Sequence, residues 1–314
     1  METFLSDPAA VTLVAITLLA ATVNGALGYG FSSLTVPVAL LFYANRVLNP
    51  VLVLLEVILN SYILFTNSQS VPRVWRRVLP LLAGLLPGVL IGSYILTSVH
   101  PGWIKLFTYT AILPLILIQA AGVRRYIQAE KVVSLPFGVG VGVLYSVTTI
   151  SGPPLALLFN NQGYVKQDFR AGLALIRMAE SSLTATAYYF LGLYTAETPQ
   201  FMSLILPSVL IGIPLGGFLI RRIATETFRR VCMSFDAWIV GFGLSRTLIE
   251  LGVAASPAAY SVLIATLGID GVLLARFFLS TTSKHETTVL PSLESLPEVV
   301  PLAVRIRKSG TEGS

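Results

Sequence analysis

The chain has very little charge: 11% of its 314 residues are Asp, Glu, Lys or Arg, against 54% hydrophobic residues and a mean hydropathy of +0.79. That balance excludes an ordinary soluble domain and describes a polytopic membrane protein. Cysteine is scarcer still. The lone Cys232 excludes an internal disulfide, and with His100 and His285 as the only histidines, both outside the apolar runs, a Cys/His metal site is excluded too. No cofactor is expected. Without a histidine inside a membrane run, an intramembrane Ser/His hydrolase lacks its base. There is also no Gly-x-Ser-x-Gly elbow, no His-Glu-x-x-His and no P-loop lysine, so the chain does not read as an enzyme. The first eight residues carry Glu2 and Asp7 and no basic residue, which argues against a cleaved signal peptide.

The net charge of +6 does not point to nucleic acid, because the basic residues lie in short loops between apolar runs: Arg73, Arg76 and Arg77; Arg124, Arg125 and Lys131; Arg221, Arg222, Arg229 and Arg230. Such loops face the cytoplasm. Sides then follow along the chain. Loops 67–77, 122–132 and 221–230 are inside, and 97–102 and 195–200 are outside. The N-terminus is extracytoplasmic and a polar tail, 281–314, is cytoplasmic and disordered. Arg46, on the outer side, runs against this assignment.

The apolar stretch 9–43 would make a straight helix of roughly 52 Å, against a bilayer core of about 30 Å. It breaks at Gly28-Tyr29-Gly30-Phe31-Ser32-Ser33-Leu34-Thr35-Val36-Pro37. Runs near 47–66, 78–98 and 103–121 follow. A second interrupted run, 133–160, breaks at Thr148-Thr149-Ile150-Ser151-Gly152-Pro153-Pro154, and runs at 169–194, 200–221, 228–250 and 258–279 complete the chain. The expectation is an all-α integral membrane protein of seven to nine spans, with two inverted-topology repeats, 1–122 and 123–250, each holding a broken or re-entrant helix. An additional helix at 251–280 precedes the tail. Pro37-Val-Ala-Leu-Leu-Phe42 matches Pro154-Leu-Ala-Leu-Leu-Phe159 at an offset of 117, and Gly88 and Gly92 match Gly212 and Gly216 at 124. Inverted repeats are a hallmark of transporters.

Broken helices expose backbone N–H groups at partly positive N-termini, a natural oxyanion site. Candidate substrate contacts are Asn24, Gly28, Gly30, Ser32, Ser33 and Thr35 at the first break and Thr148, Thr149, Ser151 and Gly152 at the second. The competing reading is that these small residues only let helices pack closely. Asn60 and Arg177, also 117 apart, complete the set. Arg177 would supply charge to an anion with Glu180 orienting it, or would form a closed structural pair with Glu180. Glu56 and Glu180 are candidates for proton or charge coupling, Glu56 equally as a helix–helix hydrogen-bond partner. Asn24 could instead cap the broken backbone. Arg246 and Glu250 read as a structural pair, and Gln119 and Arg170 as headgroup contacts.

Gly28-x-Gly30-Phe31 with Pro37, and Ile150-Ser151-Gly152-Pro153-Pro154 followed by Phe169-Arg170-Ala171, resemble the TauE/SafE sulfite exporter permeases over roughly residues 9–250. The resemblance implies a plasma-membrane protein with two homologous halves that exports sulfite or short organosulfonates such as sulfoacetate. Ser32-Ser33 stand where many relatives carry glycines, and the 258–279 run and tail are additions. The partners expected are a small anion and the lipid bilayer, not nucleic acid; a homo-oligomer is compatible with the sequence. Alternatives are a cation- or proton-coupled carrier of another solute, or a non-transporting membrane sensor or subunit.

Overall fold

The computed structural model describes residues 8–121, 130–161, 166–219 and 225–294. The basic residues Arg124, Arg125, Arg221 and Arg222, the first seven residues and those beyond 294 lie outside that set. By its contacts the chain divides after Gly271.

The described residues form helices, the last of which, Ser261–Glu294, runs across the Gly271 division. The first apolar stretch becomes α1 (Pro8–Leu27) and a short α2 (Phe31–Ala39), about 30 Å and 14 Å long at 1.5 Å per residue. Then come α3 (Asn45–Thr66), α4 (Val71–Ser98) and α5 (Pro101–Ala120). The second interrupted run becomes α6 (Glu130–Thr148) and α7 (Gly152–Asn161), followed by α8 (Lys166–Phe190), α9 (Thr198–Leu219), α10 (Thr225–Glu250) and α11 (Ser261–Glu294). No described residue is in a strand. Six described helical segments are long and apolar enough to cross a membrane, with 133–148 a shorter apolar one. This is a multi-pass all-α membrane protein.

Several helices extend into stretches that the sequence reading assigns to loops or tail, among them α4 and α11. Helix α4 starts at Val71, inside the stretch that the sequence assigns to loop 67–77. A 3-10 turn at Ser68–Ser70 leads into it, and Pro72 sits in its first turn, where a missing N–H costs nothing. Helix α11 runs on to Glu294, into the stretch that the sequence assigns to the tail.

The burial pattern is inverted relative to a water-soluble protein. Leu86, Leu90, Ile91 and Tyr94 of α4 and Leu210, Ile211, Leu215 and Phe218 of α9 are exposed, while Glu56, Arg177, Glu180 and Asp270 are buried. Apolar outside and charge inside suits lipid, where a charge at depth must find a partner or a polar cavity.

Glycine decides the tightest contacts. A Cβ at Gly88 would meet the Val139 carbonyl oxygen of α6 at 2.3 Å, and one at Gly212 would stand 2.9 Å from the Leu18 carbonyl oxygen of α1. One turn on, Gly92 faces Val143 and Gly216 faces Thr22. The third long helix of each half thus packs on the first helix of the other half. The paired glycines are 124 positions apart and their targets, Leu18/Val139 and Thr22/Val143, are 121 apart. The break boundaries Leu27/Thr148 and Phe31/Gly152 keep the same 121 spacing.

Arg46 has a local role that removes it from the loop bookkeeping. Its guanidinium donates to the carbonyls of Leu96 (2.7 Å), Thr97 and Val99 (2.8 Å), closing the C-terminal end of α4.

Candidate anion site at the helix breaks

The two breaks touch. A Cβ at Gly152, the first residue of α7, would stand 3.4 Å from Tyr29 Cδ2 and 3.7 Å from Ser33 Oγ. At the first break Gly28 and Gly30 have φ of 84° and 108°, which glycine adopts freely, and no described side chain caps the first N–H groups of α2. At the second break Thr149 takes φ 58°, a conformation unfavourable for a β-branched residue.

Helices α3 and α8 run past the breaks, and their mid-length residues bring the buried charges in. Glu56 Oε1 accepts from Ser32 Oγ (2.6 Å) and from Arg177 Nη2 (2.8 Å), and Glu56 Oε2 accepts from the Tyr145 hydroxyl (2.7 Å). Glu180 Oε1 accepts from Ser151 Oγ. Each carboxylate therefore receives a serine hydroxyl from the break that precedes its helix. The partner of Arg177 is Glu56, 121 residues away, rather than Glu180 on its own helix. The expectation of an Arg177–Glu180 pair is thus corrected. Three residues apart is within reach on a helix, but here the guanidinium is drawn across to α3.

Several donors in this cluster keep unspent hydrogen-bonding capacity. Arg177 Nη1 lies 3.5 Å from Asn24 Oδ1, a marginal contact. Arg177 Nε and Asn24 Nδ2 are buried without a hydrogen-bond partner among the described residues, as are Glu180 Oε2, Thr35 Oγ1 and Asn60 Oδ1. Asn60 Nδ2 donates to the Arg177 carbonyl (3.3 Å), crossing α3 to α8. Buried polar groups of this kind are rare unless something else meets them.

The other sequence candidates divide. Thr148 and Thr149 spend their hydroxyls on the break itself: Thr148 Oγ1 donates to Leu144 O and accepts from the Ile150 N–H, and Thr149 Oγ1 donates to Thr148 O. Gly28, Gly30, Gly152 and Ser33 shape the meeting of the breaks. Three residues that the sequence did not place here belong to the same construction. Arg170 donates to Ala26 O (2.9 Å) at the end of α1, Gln119 Nε2 reaches the Tyr29 hydroxyl (3.3 Å), and Tyr145 holds Glu56. The sequence assigns Arg170 and Gln119 to headgroup contacts; the helix crossings turn both inward. Phe169-Arg170-Ala171 carried the only hint, since it stood with the break motifs in the resemblance.

No group of three or more His, Cys, Asp or Glu side chains among the described residues is placed to hold a metal ion. What the cluster offers is an arginine, an amide and an uncapped helix start at the meeting of two breaks. The family profile described as sulfite exporter TauE/SafE matches residues 13–242, most of the chain and all the helices that build this site. The chain belongs to the TauE/SafE sulfite exporter family. This TauE/SafE member is therefore a membrane transporter of the sulfur-anion class, not an enzyme. Comparison with curated proteins and with solved structures gave no match. The matched region ends at residue 242, before α11.

Proposed function

We propose that this protein exports sulfite or a short organosulfonate such as sulfoacetate across the plasma membrane, through a site where the two breaks meet. The observation that carries the reading is the pair of buried, unpartnered donors, Arg177 Nε and Asn24 Nδ2, beside the uncapped start of α2. Charge-assisted donors and helix N-termini are what bind a tetrahedral or pyramidal oxyanion. Ser32 and Ser151 hold Glu56 and Glu180 in place around it.

The reciprocal packing of α4 on α6 and α9 on α1 supports two repeats of opposite orientation, with boundaries near 1–122 and 123–250. Alternating access would then be one repeat moving against the other about the paired breaks. The lysine and arginine distribution supports an extracytoplasmic N-terminus and a cytoplasmic C-terminus. Export fits the electrostatics. An inside-negative potential favours outward movement by about 2.3 kcal/mol per negative charge per 100 mV.

One observation favours a second reading. Glu56 and Glu180 outnumber Arg177, so the cluster admits a cation or a proton as readily as an anion unless a carboxylate is neutralised. A thermal-shift screen of the purified protein separates the two. Stabilisation by sulfite or sulfoacetate and not by sodium or potassium chloride is the result expected. Stabilisation by cations alone would replace the anion reading with that of a cation carrier.

A further inference from the structure

A small cavity lies on the α10 side of the first break, lined among others by Gly30, Ser33, Pro153, Gln119, Cys232 and Asp236. It touches both breaks, through Gly30 and Ser33 on one side and Pro153 on the other. At about 30 Å³ it has room for water. Asp236 stands midway along α10 and is 7% exposed, and its Oδ1 has no hydrogen-bond partner among the described residues.

A carboxylate in that position is out of keeping with a passive wall. Among the described residues, no lysine, arginine or histidine lines the cavity. The titratable neighbours are Cys232 on its own helix and Tyr29 from the break; Gln119 of α5 is polar but uncharged and engaged with Tyr29. An ionised Asp236 would therefore be buried without a counter-ion, which is costly, and it would repel an anion arriving at the start of α2. A protonated Asp236 has neither cost. Release of its proton needs a polar, solvent-connected state, which is one of the two states that a transporter alternates between.

We propose that Asp236 is the proton-carrying group of this protein, protonated while anion occupies the paired breaks and deprotonated after the anion leaves. The proposal rests on the anion-transport reading above and assigns its coupling ion. One proton enters on the Asp236 carboxyl with each anion and leaves as H⁺ to water on the other side, so a dianion crosses with one net negative charge and the membrane potential favours export through that remaining charge. Glu180 remains a fixed part of the site, held by Ser151.

The test uses the full chain in proteoliposomes with radiolabelled sulfoacetate and sulfite, read in two modes: exchange at equal pH, and accumulation driven by a pH gradient. Sulfoacetate is informative because its sulfonate has no titrating proton near neutrality. Asp236→Asn, which mimics the protonated acid, should exchange sulfoacetate within about twofold of the parent and lose at least tenfold of its gradient-driven accumulation. A vesicle-trapped pH dye should report proton movement with sulfoacetate in the parent protein, so the result does not depend on the variant folding. Accumulation by Asp236→Asn equal to the parent's, or sulfoacetate flux in the parent without proton movement, overturns the assignment. Absence of both exchange and accumulation for either anion in the parent would overturn the anion-transport reading itself, and with it the role of Asp236.

Discussion

At the first break α1 passes to α2 through Gly28 and Gly30, both at positive φ, whereas at the second α6 passes to α7 through Thr149 at φ 58°. The ends of the two long helices are closed differently as well. Arg170 donates to Ala26 O at the end of α1, placing a cation where a helix dipole is negative. At the end of α6, Asn49 Nδ2 donates to Val147 O (2.7 Å) and the Tyr188 hydroxyl to Ser146 O, so the closure is neutral. The carboxylates differ in the same sense: Glu56 has three donors, one of them cationic, and Glu180 has Ser151. The first break is thus glycine-hinged and charge-compensated, and the second turns on Thr149 at positive φ and is closed by neutral donors. Similar backbone paths have been reached with different chemistry.

The largest effect expected from breaking this comparison lies with the two serines. Ser151→Ala leaves the buried Glu180 carboxyl without its serine donor and should lower stability by about 1–3 kcal/mol, the range for a buried polar group left unsatisfied. Ser32→Ala leaves Glu56 with Arg177 and Tyr145 and should cost less, about 0.5–1.5 kcal/mol. Thermal unfolding of the two variants in the same detergent reads the difference. Equal shifts, or a larger one for Ser32→Ala, would remove the asymmetry.

A smaller effect is expected from the backbone. Gly28→Ala meets no steric obstacle, since its Cβ would stand 3.7 Å from Arg170 Nε, so its cost is that of the positive φ alone, about 1–2 kcal/mol. Thr149→Asn should move the other way by about 0.5–1 kcal/mol, because asparagine tolerates the left-handed region better than a β-branched residue. A melting temperature that rises for Thr149→Asn and falls for Gly28→Ala would sharpen the distinction between a relaxed and a strained hinge. A fall in both would show that the Thr149 side chain matters more than its φ.

The breaks themselves were legible in the sequence, because glycine, proline and hydroxyl residues clustered inside an apolar run interrupt a helix that lipid would otherwise sustain. Asn24, Glu56, Arg177 and Glu180 were legible for a related reason, the cost of burying them. Their pairing was not. Arg177 and Glu180 are neighbours on one helix by spacing, yet the guanidinium reaches Glu56, and only the crossing of α3 over α8 makes that contact available. The internal offset was half legible. The 124 spacing of Gly88/Gly92 and Gly212/Gly216 matches their reciprocal packing, while the 117 spacing of the Pro-x-Ala-Leu-Leu-Phe match differs from the 121 spacing of the breaks by about one helical turn. In the frame set by the glycines, Glu56 corresponds to Glu180, and Asn60 does not correspond to Arg177 but touches it. Arg170 and Gln119 were hidden because depth and facing of a residue near a helix end depend on its neighbours and not on its own run.

The most direct test of the account is sulfite flux in proteoliposomes containing the parent protein, Arg177→Lys or Arg177→Gln. Arginine here bonds Glu56 through Nη2, approaches Asn24 Oδ1 through Nη1 and leaves Nε without a partner among the described residues, a geometry that a lysine ammonium does not reproduce. The account predicts sulfite flux in the parent, a loss of tenfold or more in Arg177→Lys, and loss to the protein-free background in Arg177→Gln. Flux in Arg177→Gln equal to that of the parent would contradict it.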